Sequence, residues 1–211
     1  MNRWGKIGAR RMMHRGPVLP PGARWVEYLE STGTQWIDTG YKPNTNTRTV
    51  GLCRINSFVG SNADYVFGVF SSPNNYGFNI GSARQYFNVP WGSGVGIPLY
   101  GLIPQTNKDY KFDISKTGYL IDDQSYGDIS VESVNSTINM YLFWSNGTSA
   151  SGMNGRLYYT KIYDNNILVR DFVPVRVGTT GYLYDRVSGK LFGNQGSGDF
   201  VLGPDTNAPA I

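Results

Sequence analysis

The sequence predicts an all-β fold, a two-sheet antiparallel β-sandwich preceded by an extended N-terminal arm. Three observations predict it. From Trp25 onward apolar residues alternate with period two, as in strands that bury one face. Clusters of Gly, Pro, Asn and Ser break the alternation every 8–12 residues or so, the spacing of short strands joined by tight turns. No stretch longer than about ten residues carries a 3.6-residue apolar stripe between helix caps. Composition agrees: 30 aromatic residues and 27 Gly against only 16% charged residues describe many short strands and turns, kept soluble by Asn, Ser and Thr.

The elements follow in order. WVEYLE, TQWIDTG, TRTVGLCRI, DYVFGVF, YGFNI and QYFNV read as strands, separated by STG, KPNTN, SSPNN and GSAR turns. NVPWGSGVGIP (88–98), with its Gly and Pro breaks, reads as a long loop around Trp91. DYKFDIS and YLIDD form a hairpin in which Gly118 supplies a positive φ. INMYLFW is dense enough for a central strand. RLYYTKIYD and ILVRDFVPV form a second hairpin turning at Asn165-Asn166, and GYLYDRV and KLFGN a third turning at Ser188-Gly189. No full-length repeat is visible, which excludes a propeller or solenoid.

The arm is residues 1–24, MNRWGKIGARRMMHRGPVLPPGAR, the body 25–205, and the tail 206–211. Six of the 19 basic residues fall in the arm (Arg3, Lys6, Arg10, Arg11, Arg15 and Arg24), with no acid, so the body keeps 13 bases against 15 acids. The net charge of +4 therefore belongs to the arm. Its basic residues interrupt every apolar run a secretory signal would need, and it lacks the Ser of a transit peptide. The reading that remains is an interaction arm, with Pro17, Pro20 and Pro21 as a stiff spacer. Arg3, Lys6, Arg10, Arg11 and Arg15 would meet an acidic surface, and Trp4, Ile7, Met12 and Met13 would be its apolar anchors.

The residues from WVEYLESTGTQWIDTGYKPNTNTR and from GRLYYTKIYDNNILVRDFVPVRVGTTGYLYDRVSGKLFGNQGSGDF resemble the two ends of concanavalin A-like (laminin-G/lectin-like) jelly-roll domains of phage and prophage structural proteins from gut bacteria. The resemblance covers roughly residues 25–203; its middle, about 50–135, matches only in general character. It implies a two-sheet jelly-roll sandwich with a place on a virion or cell surface. Joined to such a body, the basic arm is expected to dock on a capsid or tail protein, with the chain present in many copies or as a homo-oligomer. Members often carry Cys after the Pro of the FVP motif, where this chain has Val175, so no thiol chemistry carries over. The fold hosts lectins, glycan hydrolases and structural modules alike, so activity has to be read from sites.

No enzyme is expected. The glycosidase pattern Glu-x-Asp-x-x-Glu is absent; Asp109/Asp113 and Asp128/Glu132 are the closest carboxylate pairs, and both read as solvated strand-end acids. His14, the single histidine, lies in the arm, where nothing orients it as a base. Zinc motifs are missing. Ca2+ could draw oxygens from 121–123 or 164–166, although hairpin turns account for both. Cys53 reads as a small buried hydrophobe. For sugar recognition an aromatic face and nearby amides are needed. Asn75 and Tyr76 of PNNYGF, Trp91, and Trp144 with Asn146 of WSNGTS are the candidates, as a shallow site for host glycans. Two functions compete: a virion decoration protein with weak glycan adhesion, or a receptor-binding lectin module of a tail fibre. Arg170, Asp171, Asp185 and Arg186 are expected to pair across strands and fix register.

Overall fold

The computed structural model describes residues 18–59, 63–81, 86–99, 101–127, 132–147 and 151–208. The first strands are β1 (Ala23–Trp25), β2 (Leu29–Thr32), β3 (Ile37–Asp38), β4 (Thr47–Ser57), β5 (Asp64–Val69) and β6 (Asn75–Ile80). Next come β7 (Phe87–Gly92), β8 (Gly94–Leu99), β9 (Lys108–Ser115), β10 (Gly118–Ile121), β11 (Gln124–Ser125), β12 (Tyr141–Leu142) and β13 (Ser145–Asn146). The last are β14 (Ser151–Gly152), β15 (Asn154–Asp164), β16 (Ile167–Val177), β17 (Thr180–Asp185), β18 (Lys190–Gly193) and β19 (Val201–Leu202). The described residues contain no helix, hence none long and apolar enough to cross a membrane.

Two sheets result. The large one runs β11-β10-β9-β4-β15-β16-β17-β18, with β1 beside β16, β2 beside β15 and β19 beside β2. The small one runs β3-β12-β5-β6-β7-β8, and β13 and β14 join it parallel to β5. Alternation explains the facing. In β4, Thr47, Thr49, Gly51, Cys53 and Ile55 are buried, while Arg48, Val50, Leu52 and Arg54 are half-exposed. In β9, Tyr110, Phe112 and Ile114 point in, and Asp109, Lys111 and Asp113 point out. The core lies between the sheets, where Phe112 meets both Phe67 and Phe78 at 5.5 Å and Tyr110 meets Phe87 at 4.8 Å. Each such ring contributes about 1.5–3 kcal/mol by leaving water.

The three expected hairpins are present, with Gly118 at φ 135°, Asn165 and Asn166 at 50° and 65°, and Gly189 at 70°. Arg186 binds Asp171 at 2.9 Å, and Arg170 lies 3.8 Å from Asp185, as the strand pairing expects. Three expectations fail. WVEYLE is not one strand: β1 ends at Trp25 and β2 begins only at Leu29. Residues 88–98 are not a loop: β7 and β8 pair as a hairpin, with Gly92 at φ 61° allowing the tight turn. INMYLFW is not one strand either: only Tyr141–Leu142 of it is strand, and Phe143 at φ 65° ends β12 before β13 begins beyond the segment.

The body also begins earlier than residue 25. Ala23 and Arg24 pair with Val177 and Arg176, and Leu19 and Trp25 pack on Val173, Val175 and Tyr184 over the outer face of the large sheet. The Tyr184 hydroxyl donates to the Val18 carbonyl at 3.1 Å. At the other end Thr206, expected to open a tail, donates its N–H to the Trp25 carbonyl.

Candidate functional site

The sugar residues expected from the sequence divide into two groups. Tyr76 and Trp91 are core residues, 0% and 3% exposed. The Tyr76 hydroxyl pairs with Thr49 Oγ1 at 2.8 Å and donates to the Ile114 carbonyl, and the Trp91 indole donates to the Glu132 carbonyl. Neither ring offers a face to a ligand, and that part of the expectation is corrected. Asn75, on the opposite face of β6, is also buried, its Nδ2 donating to the Gly94 carbonyl. Trp144 and Asn146 remain half-exposed. The arm residues Arg3, Trp4, Lys6, Ile7, Arg10, Arg11, Met12 and Arg15 lie outside the described residues.

A different set of residues gathers beside Trp144 and Asn146. In TQWIDTG, burial of Ile37 in the core puts Trp36 and Asp38 on the outer face of the small sheet. Tyr141 pairs with Asp38 in register and shares that face. The Trp36 and Tyr141 rings stack at 4.1 Å and 24°. Backbone bonds hold Trp36 from both sides: its N–H donates to Asn194 Oδ1 at 3.1 Å, and its carbonyl accepts from Gln195 at 2.8 Å. Gly196 lies against the indole; a Cβ there would come within 2.8 Å of the ring.

Polar groups line the same edge. Asp38 Oδ1 accepts from the Gly40 N–H at 2.8 Å, and Oδ2 from Asn139 Nδ2 at 3.2 Å. Asn146 Nδ2 donates to the Asn139 carbonyl at 2.8 Å. The kink at Phe143 turns the chain so that Asn139 and Asn146 meet across β12. Trp144 lies flat on Gly152, where a Cβ would come within 2.5 Å of its ring, and Gly152 pairs with Tyr65. Burial, and then the Asp38 charge, raise the Tyr141 phenol above its ordinary pKa. Trp36, Asp38, Asn139, Tyr141, Trp144 and Asn146 are all partly exposed. A stacked aromatic pair beside a fixed carboxylate and amides is the chemistry that takes the apolar face and hydroxyls of a pyranose.

The candidate acids lie elsewhere, each held by a partner. Arg54 forks Asp109, and Arg48 forks Asp113 through Nε and Nη2 at 2.7 and 2.5 Å. The Arg54 guanidinium holds the Asp109 carboxyl below its ordinary pKa, and hydrogen bonds from Ser93 do the same for Glu132. A general acid needs the opposite shift. Asp128 lies outside the described residues. Among the described residues no three His, Cys, Asp or Glu side chains gather as metal ligands. Asp122 and Asp123 instead face Lys108 and Lys111. Cys53 is fully buried, and burial pushes its thiol pKa up.

The sequence reading passed over Trp36, Asp38, Asn139 and Tyr141. The alternation in TQWIDTG already carried the signal for the first two. Asn139 and Tyr141 depended on a kink that no turn residue announces.

No family model matches the chain, and no curated protein matches it. Among solved structures it is similar to a candidate carbohydrate-binding protein of Bacteroides ovatus ATCC 8483, with a TM-score of 0.62 over 89% of this chain. Identity is 12%, so the likeness shows the all-β sandwich fold, and this chain spans 62% of that structure's length.

Proposed function

We propose that this protein is a non-catalytic carbohydrate-binding sandwich whose sugar platform is the Trp36–Tyr141 pair with Asp38, Asn139, Trp144 and Asn146. The observation that carries the reading is the half-exposed stacked pair beside the hydrogen-bonded Asp38–Asn139 couple. The description of the Bacteroides ovatus protein supports the same ligand class. Stacking contributes about 0.5–1.5 kcal/mol beyond area burial. Trp36→Ala should therefore weaken glycan binding by about tenfold, measured by calorimetry against the best ligand from a glycan array. Unchanged affinity in a folded Trp36→Ala variant would sink the platform. No reducing sugar should be released in any of these mixtures.

The finer reading is a bacteriophage one: an accessory (decoration) protein at the virion surface, attached to a capsid or tail protein by its basic arm. The charge of residues 1–17 supports it, with five Lys or Arg and no acid. Co-sedimentation with particles depleted of the protein should require those residues. If pelleting survives their removal, attachment belongs to the body. A tail-fibre lectin is the other reading, supported by the platform itself, and in that case Trp36→Ala would also weaken attachment to host cells.

A further inference from the structure

On the outer face of the large sheet, a cleft of about 410 Å³ opens where the start of β4, the β9–β10 turn and the β15–β16 turn converge. A second cleft, of about 320 Å³, shares Arg48, Asp113 and Leu120 with it, so the two make one groove. Each volume lies in or near the range of small-molecule sites, about 300–1,000 Å³. Leu120 gives the groove an apolar floor. The rim is polar, with Asn46, Ser115, Thr117, Asn165 and Asn166. These side chains match sugar hydroxyls as donors and acceptors.

The charges of the lining do not cancel. Arg48 is matched by Asp113, and Lys111 by Asp123 at 2.6 Å. Lys116 has no carboxylate within ion-pair distance among the described residues; its ammonium donates to Asn46 Oδ1 at 2.5 Å. Asp164, behind the β15–β16 turn, accepts from Asn44 and Asn165 at 3.1 and 3.0 Å and so orients the Asn165 amide. An amide oxygen positions the lysine without neutralising it. The groove thus pairs a positioned cation with a rim of neutral hydrogen-bonding groups.

We propose that this groove is a second binding site, for an acidic glycan whose carboxylate or sulfate seats on Lys116 while its hydroxyls meet the turn amides and hydroxyls. It lies on the other sheet from the Trp36 platform and does not depend on it.

Calorimetry on the full chain tests this, using trigalacturonate, a sulfated galactose trisaccharide and the neutral counterpart of each. At least one acidic probe should bind about tenfold more tightly than its neutral counterpart at low salt, a margin that added NaCl screens. Carboxylate and sulfate are told apart by which probe shows the margin. Lys116→Gln should remove it, and Trp36→Ala should leave it intact. Absence of binding by both acidic probes, equal binding of acidic and neutral forms, or a margin that survives in Lys116→Gln overturns the proposal. Loss of the margin in Trp36→Ala also overturns it, by moving the acid's contact to the platform. Failure of the platform reading shows separately, as neutral-sugar binding that Trp36→Ala leaves unchanged.

Discussion

At the scale of single residues, glycine decides how side chains lie on the outer face of the small sheet. Gly68 and Gly77 pair across β5 and β6, and the Tyr65 ring lies over both; Cβ atoms there would come within 3.0 and 3.5 Å of it. Tyr65 is consequently 3% exposed, and burial pushes its phenol up to about 12 from an ordinary 10.0. Tyr76 is raised further by burial in the core. A folded pKa above the unfolded one means the Tyr65 phenol stabilises the fold fully below about pH 10, and that contribution fades as pH rises through about 12. An alkaline titration followed by near-ultraviolet absorbance should therefore show some of the 15 tyrosines ionising late, together with cooperative loss of structure. If all of them ionise in one step near 10 with the fold intact, Tyr65 and Tyr76 are open to solvent. The same residues show why the site was only half legible. Trp36 and Trp91 are alike as residue types, and only strand parity separates them. Parity was readable in TQWIDTG; in VPWGSG the glycines suggested a loop and hid it.

At the scale of elements, the hairpins were legible because turn chemistry is local: Asn165-Asn166 and Gly189 adopt the positive φ their turns require. The β7–β8 hairpin was not, because Pro90 has no N–H to give a ladder; the structure accommodates it at a register shift between Val89 and Trp91. The break in INMYLFW was invisible for a different reason. A buried Phe143 at positive φ is held by tertiary packing, against its local preference. Strand pairing also sets what each ion pair is worth. Arg186 and Asp171 are both 7% exposed at their side chains, whereas Asp109, paired with Arg54, is 42% exposed. Asp171→Ala takes the carboxylate away from a nearly buried guanidinium and should cost about 3–5 kcal/mol. Asp109→Ala should cost about 1 kcal/mol or less. Urea denaturation of the two variants checks the contrast, and equal losses would contradict it.

At the scale of the whole molecule, the described N-terminal segment and the C-terminal strands close on one another. β1 runs along β16, Val26 bridges to Asp205, and Arg176 holds Asp205 at 2.6 Å. This segment seals a small second core, Val173, Val175 and Tyr184, on the outer face of the large sheet. The Trp36 platform lies on the outer face of the small sheet, so the arm joins the body on the side away from it. A sandwich fastened through its arm would thus keep its sugar platform turned outward. The arm and the sealing segment can be separated by truncation. Removing residues 1–17 should leave thermal stability unchanged, because Val18 is already 76% exposed where the segment starts. Removing residues 1–25 deletes Leu19 and Trp25 from the second core and strips β1 from β16. Losing two half-buried apolar side chains of that size costs about 2–3 kcal/mol, and at about 2–4 °C per kcal/mol for a chain of this length the Tm should fall by about 5–10 °C. Differential scanning calorimetry on the two truncations decides the matter. An unchanged Tm in the longer truncation would return residues 18–25 to the arm, and a fall in the shorter one would make residues 1–17 part of the folded body.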